Sequence, residues 1–228
     1  MYVLSLDLEP RNDMPPFQAP RWLPPGTPVE AIRVSGEPVP ESAEPYSHLI
    51  LSGSTYSILD DEPCVEPIAK LIRNAVALGR PILGICYGEQ LLARALLGDA
   101  HVRRTARPEM GWLPIRVPPR GREIFEGLPN PFHAFVGHFD EVSNLPDGWD
   151  TIADSEHCEV QGFVNRELRL LGFQFHPEMD IEIGNSCFRA GRDTLERAGF
   201  DVEGILREAR EDGSGKLLIP RFLEMFAE

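Results

Sequence analysis

No stretch of the 228 residues is apolar for long enough to cross a bilayer. Basic residues are in the minority, with 22 Lys and Arg against 36 Asp and Glu and a net charge of −14. The first shortage leaves no membrane-spanning segment. The second argues against a nucleic-acid partner, because binding to a phosphate backbone needs a positive surface that releases counterions. Residues 1–10 carry Asp7 and Glu9 where a secretory leader would place a basic segment and an apolar core, so a cytoplasmic location is expected. Cysteine is scarce as well. Cys64, Cys86, Cys158 and Cys187 form no C-x-x-C pair and lie far apart, which suggests neither a zinc knuckle nor a disulfide framework. No metal or cofactor is expected. Gly213-Ser214-Gly215-Lys216 resembles part of a phosphate loop, but Arg210 occupies the required first glycine position and Leu217 replaces Ser or Thr. Regular helix is missing from residues 10–28, where prolines at 10, 15, 16, 20, 24, 25 and 28 remove amide donors and restrain their predecessors. An exposed loop is the default expectation there, with an ordered lid or a partner-docking surface as alternatives.

What the chain does have is organised around Cys86. Residues 81–85 form a short apolar run, and Leu91, Leu92, Ala95 and Leu96 recur at helical spacing before Gly98 supplies a stop. Strand, sharp turn and helix therefore meet at one sulfur. Gly84 and Gly88 flank it at two-residue spacing, as in the nucleophile elbow, where a strained turn lifts the reactive atom above the sheet. The amide groups of the following helix then point at the sulfur, and their partial positive charge suits a nucleophilic thiolate. Ninety residues later, the β-rich run Leu170-Leu171-Gly172-Phe173-Gln174-Phe175 ends in His176-Pro177-Glu178. Residues i and i+2 of an extended chain share a side, so the imidazole and the carboxylate can sit together at the strand end. A base for the thiol proton and an acid that orients the base complete a Cys-His-acid triad.

Residues 2–8, 29–34 and 48–51 read as strands, and residues 65–78 as a helix ending at Gly79. Asp60, Asp61 and Glu62 before Pro63 are expected to cap that helix. Beyond Gly98, strands at about 109–117, 132–138, 151–154, 160–165 and 168–175 follow without long helices between them, as antiparallel hairpins would; Asn165-Arg166-Glu167 suits a hairpin turn. Arg103, Arg104 and Arg107 are expected in a solvated loop, with contact to an anionic ligand or a partner protein as the alternative. Amphipathic helices are expected over 182–198, 202–210 and 217–226, broken at Gly199 and Asp212-Gly213. The length and a 42% hydrophobic content predict a single domain over residues 1–228, with a core of about 1–180 and a helical extension of about 181–228.

Gly84-Ile85-Cys86-Tyr87-Gly88-Glu89-Gln90 together with Phe173-Gln174-Phe175-His176-Pro177-Glu178 resembles the class I, triad-type glutamine amidotransferases. Among their branches it is most similar to the glutaminase domain of GMP synthase. Leu49-Ile50-Leu51-Ser52-Gly53-Ser54 resembles the family's oxyanion strand and loop, and Gly137-His138-Phe139-Asp140 stands where that branch has Ser-His-Gly-Asp. The resemblance covers about residues 47–180. It implies an α/β fold of flavodoxin type, with a mostly parallel central sheet, helices on both faces and an antiparallel strand extension. It also implies that Cys86 attacks the side-chain amide of glutamine, with His176 and Glu178 completing the triad, and that ammonia leaves before water hydrolyses a γ-glutamyl thioester. Backbone amides of Gly53 and Tyr87 would hold the oxyanion, and Gln90, Phe139 and Asp140 would contact the amino-acid end. His138 is expected to be structural. No synthetase module fits in the chain, so a separate synthetase partner is implied. Ser54-Thr55, Gly137 and Phe139 depart from the family pattern and leave a γ-glutamyl peptidase or hydrolase as the alternative. A non-catalytic interaction module of the same fold is the third reading.

Overall fold

The computed structural model describes residues 1–226 apart from Asn12, so Asn12 of the proline-rich segment and residues 227–228 of the expected extension lie outside it. Short apolar segments supply the strands β1 (Val3–Asp7), β2 (Val29–Arg33), β3 (His48–Leu51) and β4 (Ile82–Ile85). After the helices α1 (Val65–Ala77) and α2 (Tyr87–Leu97) come β5 (Val102–Ile115), β6 (Phe132–Val142), β7 (Asp150–Ala153), β8 (Gly162–Asn165) and β9 (Leu170–Phe173). A seven-stranded sheet has the order β2-β1-β3-β4-β9-β8-β7. It is parallel from β2 to β9 and antiparallel where β8 and β7 extend it. β5 and β6 form a separate antiparallel ribbon, tied to the sheet by bridges between Arg116 and Asp154 and between Phe135 and His176.

Alternation along the strands divides the core between the two faces. Leu4, Leu6, Leu49, Leu51 and Ile82 pack with Ile68, Leu71 and Ile72 of α1 and with Leu91 and Leu92 of α2. Their neighbours Val3, Ile50, Leu83, Ile85, Leu171 and Phe173 face the other way, onto Leu218, Ile219, Phe222 and Leu223 of the last helix, α6 (Ser214–Met225). Because both faces are covered, these strands read as continuous apolar runs. The remaining helices, α3 (Ile181–Ala190), α4 (Arg192–Arg197) and α5 (Val202–Arg207), build a third cluster, in which Phe188, Leu195 and Val202 pack on Trp112 and Phe135 of the ribbon. The sheet, its two helical covers and the antiparallel extension agree with the fold class expected from sequence.

Four local expectations are corrected. The helix expected over 182–198 is two helices, because the chain breaks at Gly191, a poor helix former that caps α3. Asp60, Asp61 and Glu62 do not cap α1: the capping position is Cys64, without a side-chain bond, and Asp61 instead meets Arg94 at 3.0 Å. Glu62 meets the Val65 amide at 3.0 Å, but through its main-chain carbonyl and not its carboxylate. Arg103, Arg104 and Arg107 are in β5 and its bulge, not in a loop, since Arg103 pairs with Glu141 at 2.8 Å and Arg104 with Asp140 at 3.2 Å across the ribbon. Residues 10–28, finally, are not simply an exposed loop. Ala19 and Gln18 are buried, a 3-10 turn forms at Ala19–Trp22, and the segment packs beside His176-Pro177-Glu178. The hairpin turn expected at Asn165-Arg166-Glu167 is present, with Asn165 Oδ1 accepting the Leu168 amide at 2.8 Å.

Candidate active site

Cys86 joins β4 to α2 at φ 52°, ψ −108°. A side-chain-bearing residue held there costs on the order of 1–3 kcal/mol, and such strain persists only where the surroundings over-determine it. Here they do. A Cβ on Gly84 would lie 2.5 Å from the Gly88 carbonyl oxygen, and one on Gly88 would lie 2.5 Å from the Leu51 carbonyl oxygen. The two-residue glycine spacing therefore lets α2 approach β3 and β4 closely enough to form the turn. The Cys86 amide donates to the Phe173 carbonyl at 2.7 Å, which locks the elbow to the end of β9.

Beyond β9 the chain reaches His176, whose amide donates to the Phe135 carbonyl at 2.8 Å and whose ring stands edge-on to the Phe135 ring at 5.2 Å. Nδ1 lies 2.8 Å from Glu178 Oε1, and both side chains are buried. Burial opposes a charged ring, but the Glu178 carboxylate and the Cys86 sulfur outweigh it and hold His176 well above the ordinary histidine range. The sulfur and the ring converge on the bare face of Gly53. A Cβ built there would be 2.7 Å from His176 Cε1, 3.6 Å from Nε2 and 3.5 Å from Cys86 Cβ. The Cys86 thiol also lies 3.8 Å from the Gly137 carbonyl. Among the described residues, neither the Gly53 nor the Tyr87 amide donates to a protein acceptor, which leaves both free for an oxyanion beside the sulfur.

These groups open onto a cleft of about 360 Å³ that also includes Gln90, Phe139 and Asp140. Gln90 donates through Nε2 to the Asp140 carbonyl and to Gln174 Oε1, both at 2.8 Å, so any ligand contact is left to its Oε1. The Asp140 carboxylate accepts from Ser57 Oγ at 2.7 Å and pairs with Arg104, which ties the loop after β3 to the ribbon. Phe139 lines the cleft and stands edge-on to Phe200. His138 is buried, with Nδ1 on the Asp140 carbonyl and Nε2 on Glu109, as a structural histidine would be. Glu109 also accepts from Ser155 and Gln161, and the Cys158 thiol donates to Val160, so the nearby Glu109, His138 and Cys158 atoms are committed to hydrogen bonds within the protein.

Of two further walls of the cleft, sequence reasoning gave one only as an alternative, an ordered lid over residues 10–28, and missed the other. Arg11, Met14, Pro15, Pro16 and Phe17 form one, and Cys187, Phe188, Gly191, Thr194 and Leu195 form the other. Trp22 Nε1 donates to the Glu178 carbonyl at 2.9 Å, and Arg21 pairs with Asp180 at 2.9 Å, so the proline-rich arm is fastened to the segment carrying Glu178. The proline density signalled irregular backbone but carried no information about where it packs.

Glu89 has no sequence signal of a special role either. It is fully buried in the first turn of α2, and neither carboxylate oxygen has a partner among the described residues. Burial, with Cys86 and Glu141 adding to it, pushes its carboxyl well above the usual range. The folded protein thus retains a proton that the unfolded chain loses at about pH 4.3. Stability is full below that pH and declines as pH rises toward the raised value. Glu89→Gln removes the decline, so the Tm difference between variant and native protein widens in calorimetry as pH rises above the unfolded value of about 4.3. A pH-independent difference would contradict the assignment.

The family model "Glutamine amidotransferase class-I" matches residues 26–188. A glutamine-hydrolysing GMP synthase subunit of Sulfurisphaera tokodaii is 31% identical over 151 residues, spanning 66% of this chain and 77% of that protein. The glutamine-hydrolysing GMP synthase of Lactobacillus acidophilus is 35% identical over 159 residues, spanning 69% of this chain but 28% of the relative. A glutamine amidotransferase of Thermotoga maritima superposes with a TM-score of 0.82 at 25% identity, covering 99% of this chain and 97% of that one. With the elbow, the imidazole-carboxylate pair and the parallel sheet all in place, the chain belongs to the class I glutamine amidotransferase family.

Proposed function

We propose that the chain hydrolyses the side-chain amide of glutamine through a Cys86 thioester and passes ammonia to a synthetase carried on a separate chain. The observation that carries this is the meeting of Cys86 and His176 on the bare face of Gly53, with Glu178 at 2.8 Å behind the ring. His176 takes the thiol proton while Sγ adds to the carbonyl carbon, and Glu178 holds the imidazolium in its orientation. The Gly53 and Tyr87 amides receive the oxyanion. Each such donor is worth about 3–4 kcal/mol in related sites. His176 then protonates the departing nitrogen, and water, deprotonated by the same ring, cleaves the thioester to glutamate. Gln90, Phe139 and Asp140 border the amino-acid end. The Sulfurisphaera relative bears the name of one component of GMP synthase, which supports a synthetase on another chain. The unpaired cysteines suit a reducing compartment.

A second reading, hydrolysis of a γ-glutamyl compound larger than glutamine, is favoured by the size of the cleft and its apolar walls. One experiment tests the chemistry common to both readings. A chloroketone analogue of glutamine, followed by mass-spectrometric mapping, should label Cys86 well ahead of Cys64, Cys158 and Cys187, and glutamine should protect it. Even labelling of the cysteines, without protection, would leave a non-catalytic module as the better description.

A further inference from the structure

The proton path fixes which side of Cys86 the leaving group occupies. As Sγ bonds to the carbonyl carbon and the C–N bond breaks, the proton taken from sulfur must pass from His176 to the departing nitrogen. That nitrogen therefore lies against His176. Beyond Cys86 and Glu178 the neighbours of His176 are apolar: the ring rests on Phe135, Phe135 stacks on Phe188 at 4.5 Å, and Met179, Cys187 and Leu195 line the cleft beside them. The wall is rigid, because a Cβ on Gly184 would lie 2.6 Å from Trp112 and 2.7 Å from Phe135, so α3 lies flush on the ribbon. Ser57, Gln90, Arg104 and Asp140 border the cleft with the polar and charged groups that suit an amino-acid end. Ammonia makes no use of an apolar wall.

We infer that the leaving-group side accepts an apolar substituent on the amide nitrogen, so that γ-glutamyl amides of aryl-bearing or branched alkyl amines are substrates alongside glutamine. This rests on the thioester reading above. The products balance as glutamate and the free amine. The amine carries the proton that left sulfur, and in the second half-reaction water supplies hydroxide to the acyl carbon and returns a proton to Sγ. Pre-formed apolar pockets of this size are a common basis for such selectivity.

The test compares kcat/KM of the full chain for glutamine, γ-glutamylglycine and γ-glutamylbenzylamide, and repeats it with Thr194→Trp. Thr194 is exposed at the cleft edge, so folding tolerates the change. The benzylamide should exceed γ-glutamylglycine by roughly tenfold to a hundredfold, the range expected from burying one ring. Thr194→Trp should lower the ratio of benzylamide to glutamine kcat/KM at least ~10-fold. Glutamine cleavage without a benzylamide preference, or an equal effect of Thr194→Trp on both substrates, overturns the inference and leaves the triad reading standing. Cleavage of none of the three, with no chloroketone labelling at Cys86, removes the triad reading and the inference with it.

Discussion

Cys86→Ser lowers glutamine turnover by about 10⁴-fold to 10⁶-fold, as removal of the nucleophile does in hydrolases whose triads act as a unit. The substitution keeps the size of the side chain at a position held at φ 52° between Gly84 and Gly88, so the elbow remains. What is lost is a nucleophile that His176 can ionise, since a hydroxyl is far harder to activate than a thiol. Single-turnover mixing with glutamine shows the loss in the acylation phase, and a melting curve close to the native one separates it from misfolding. Addition of a partner synthetase does not restore the rate. Turnover within tenfold of native would mean that the chemistry proceeds elsewhere.

Glu178→Gln is the next largest effect, a fall in kcat of about 10⁴, by analogy with amide replacement of a triad carboxylate that leaves the imidazole in the wrong tautomer. Glu178 is almost fully buried and reaches His176 Nδ1 at 2.8 Å. It is also one of the two groups that raise the histidine against the opposing effect of burial. The folded state therefore binds the imidazole proton more tightly than the unfolded chain does. The associated stability is fully present below the unfolded value of about pH 6.5 and is lost as pH rises through the raised folded value. The advantage of native protein over Glu178→Gln in Tm should accordingly be greatest in acid and shrink toward alkaline pH. A gap that grows with pH would show that Glu178 does not act through the charged ring. The kcat loss and the pH trend are independent readouts of one contact.

The parts of this site that could be read in the sequence are those encoded within a few residues of one another. Cys86 between Gly84 and Gly88 is legible because the close approach of α2 to β3 forbids a Cβ at either glycine. His176 and Glu178 are legible because an extended dipeptide step returns a side chain to the same side. The sheet is legible because both of its faces are covered, which leaves apolar runs of strand length. By contrast, Asp60, Asp61 and Glu62 mislead because the competing partner of Asp61, Arg94, is 33 residues away. Arg103 and Arg104 look loop-like because the acids that neutralise them, Glu141 and Asp140, are on another strand. Glu89 escapes notice since nothing adjacent to it in sequence announces full burial. The apolar wall beyond His176 comes from residues after 180, where helix periodicity gives a buried face but not what that face meets.

The segment carrying Glu178 is gripped from two distant parts of the polypeptide. Trp22 holds the Glu178 carbonyl from the amino-terminal arm. Gly215, at the start of α6, sits so tightly against both that a Cβ would come within 2.5 Å of the Pro177 carbonyl oxygen and 2.8 Å of the Trp22 indole. Arm, acid and final helix thus form a three-point clamp. The backbone that carries the imidazole's carboxylate partner is thus fixed by residues from both ends of the chain, far outside the cleft in sequence.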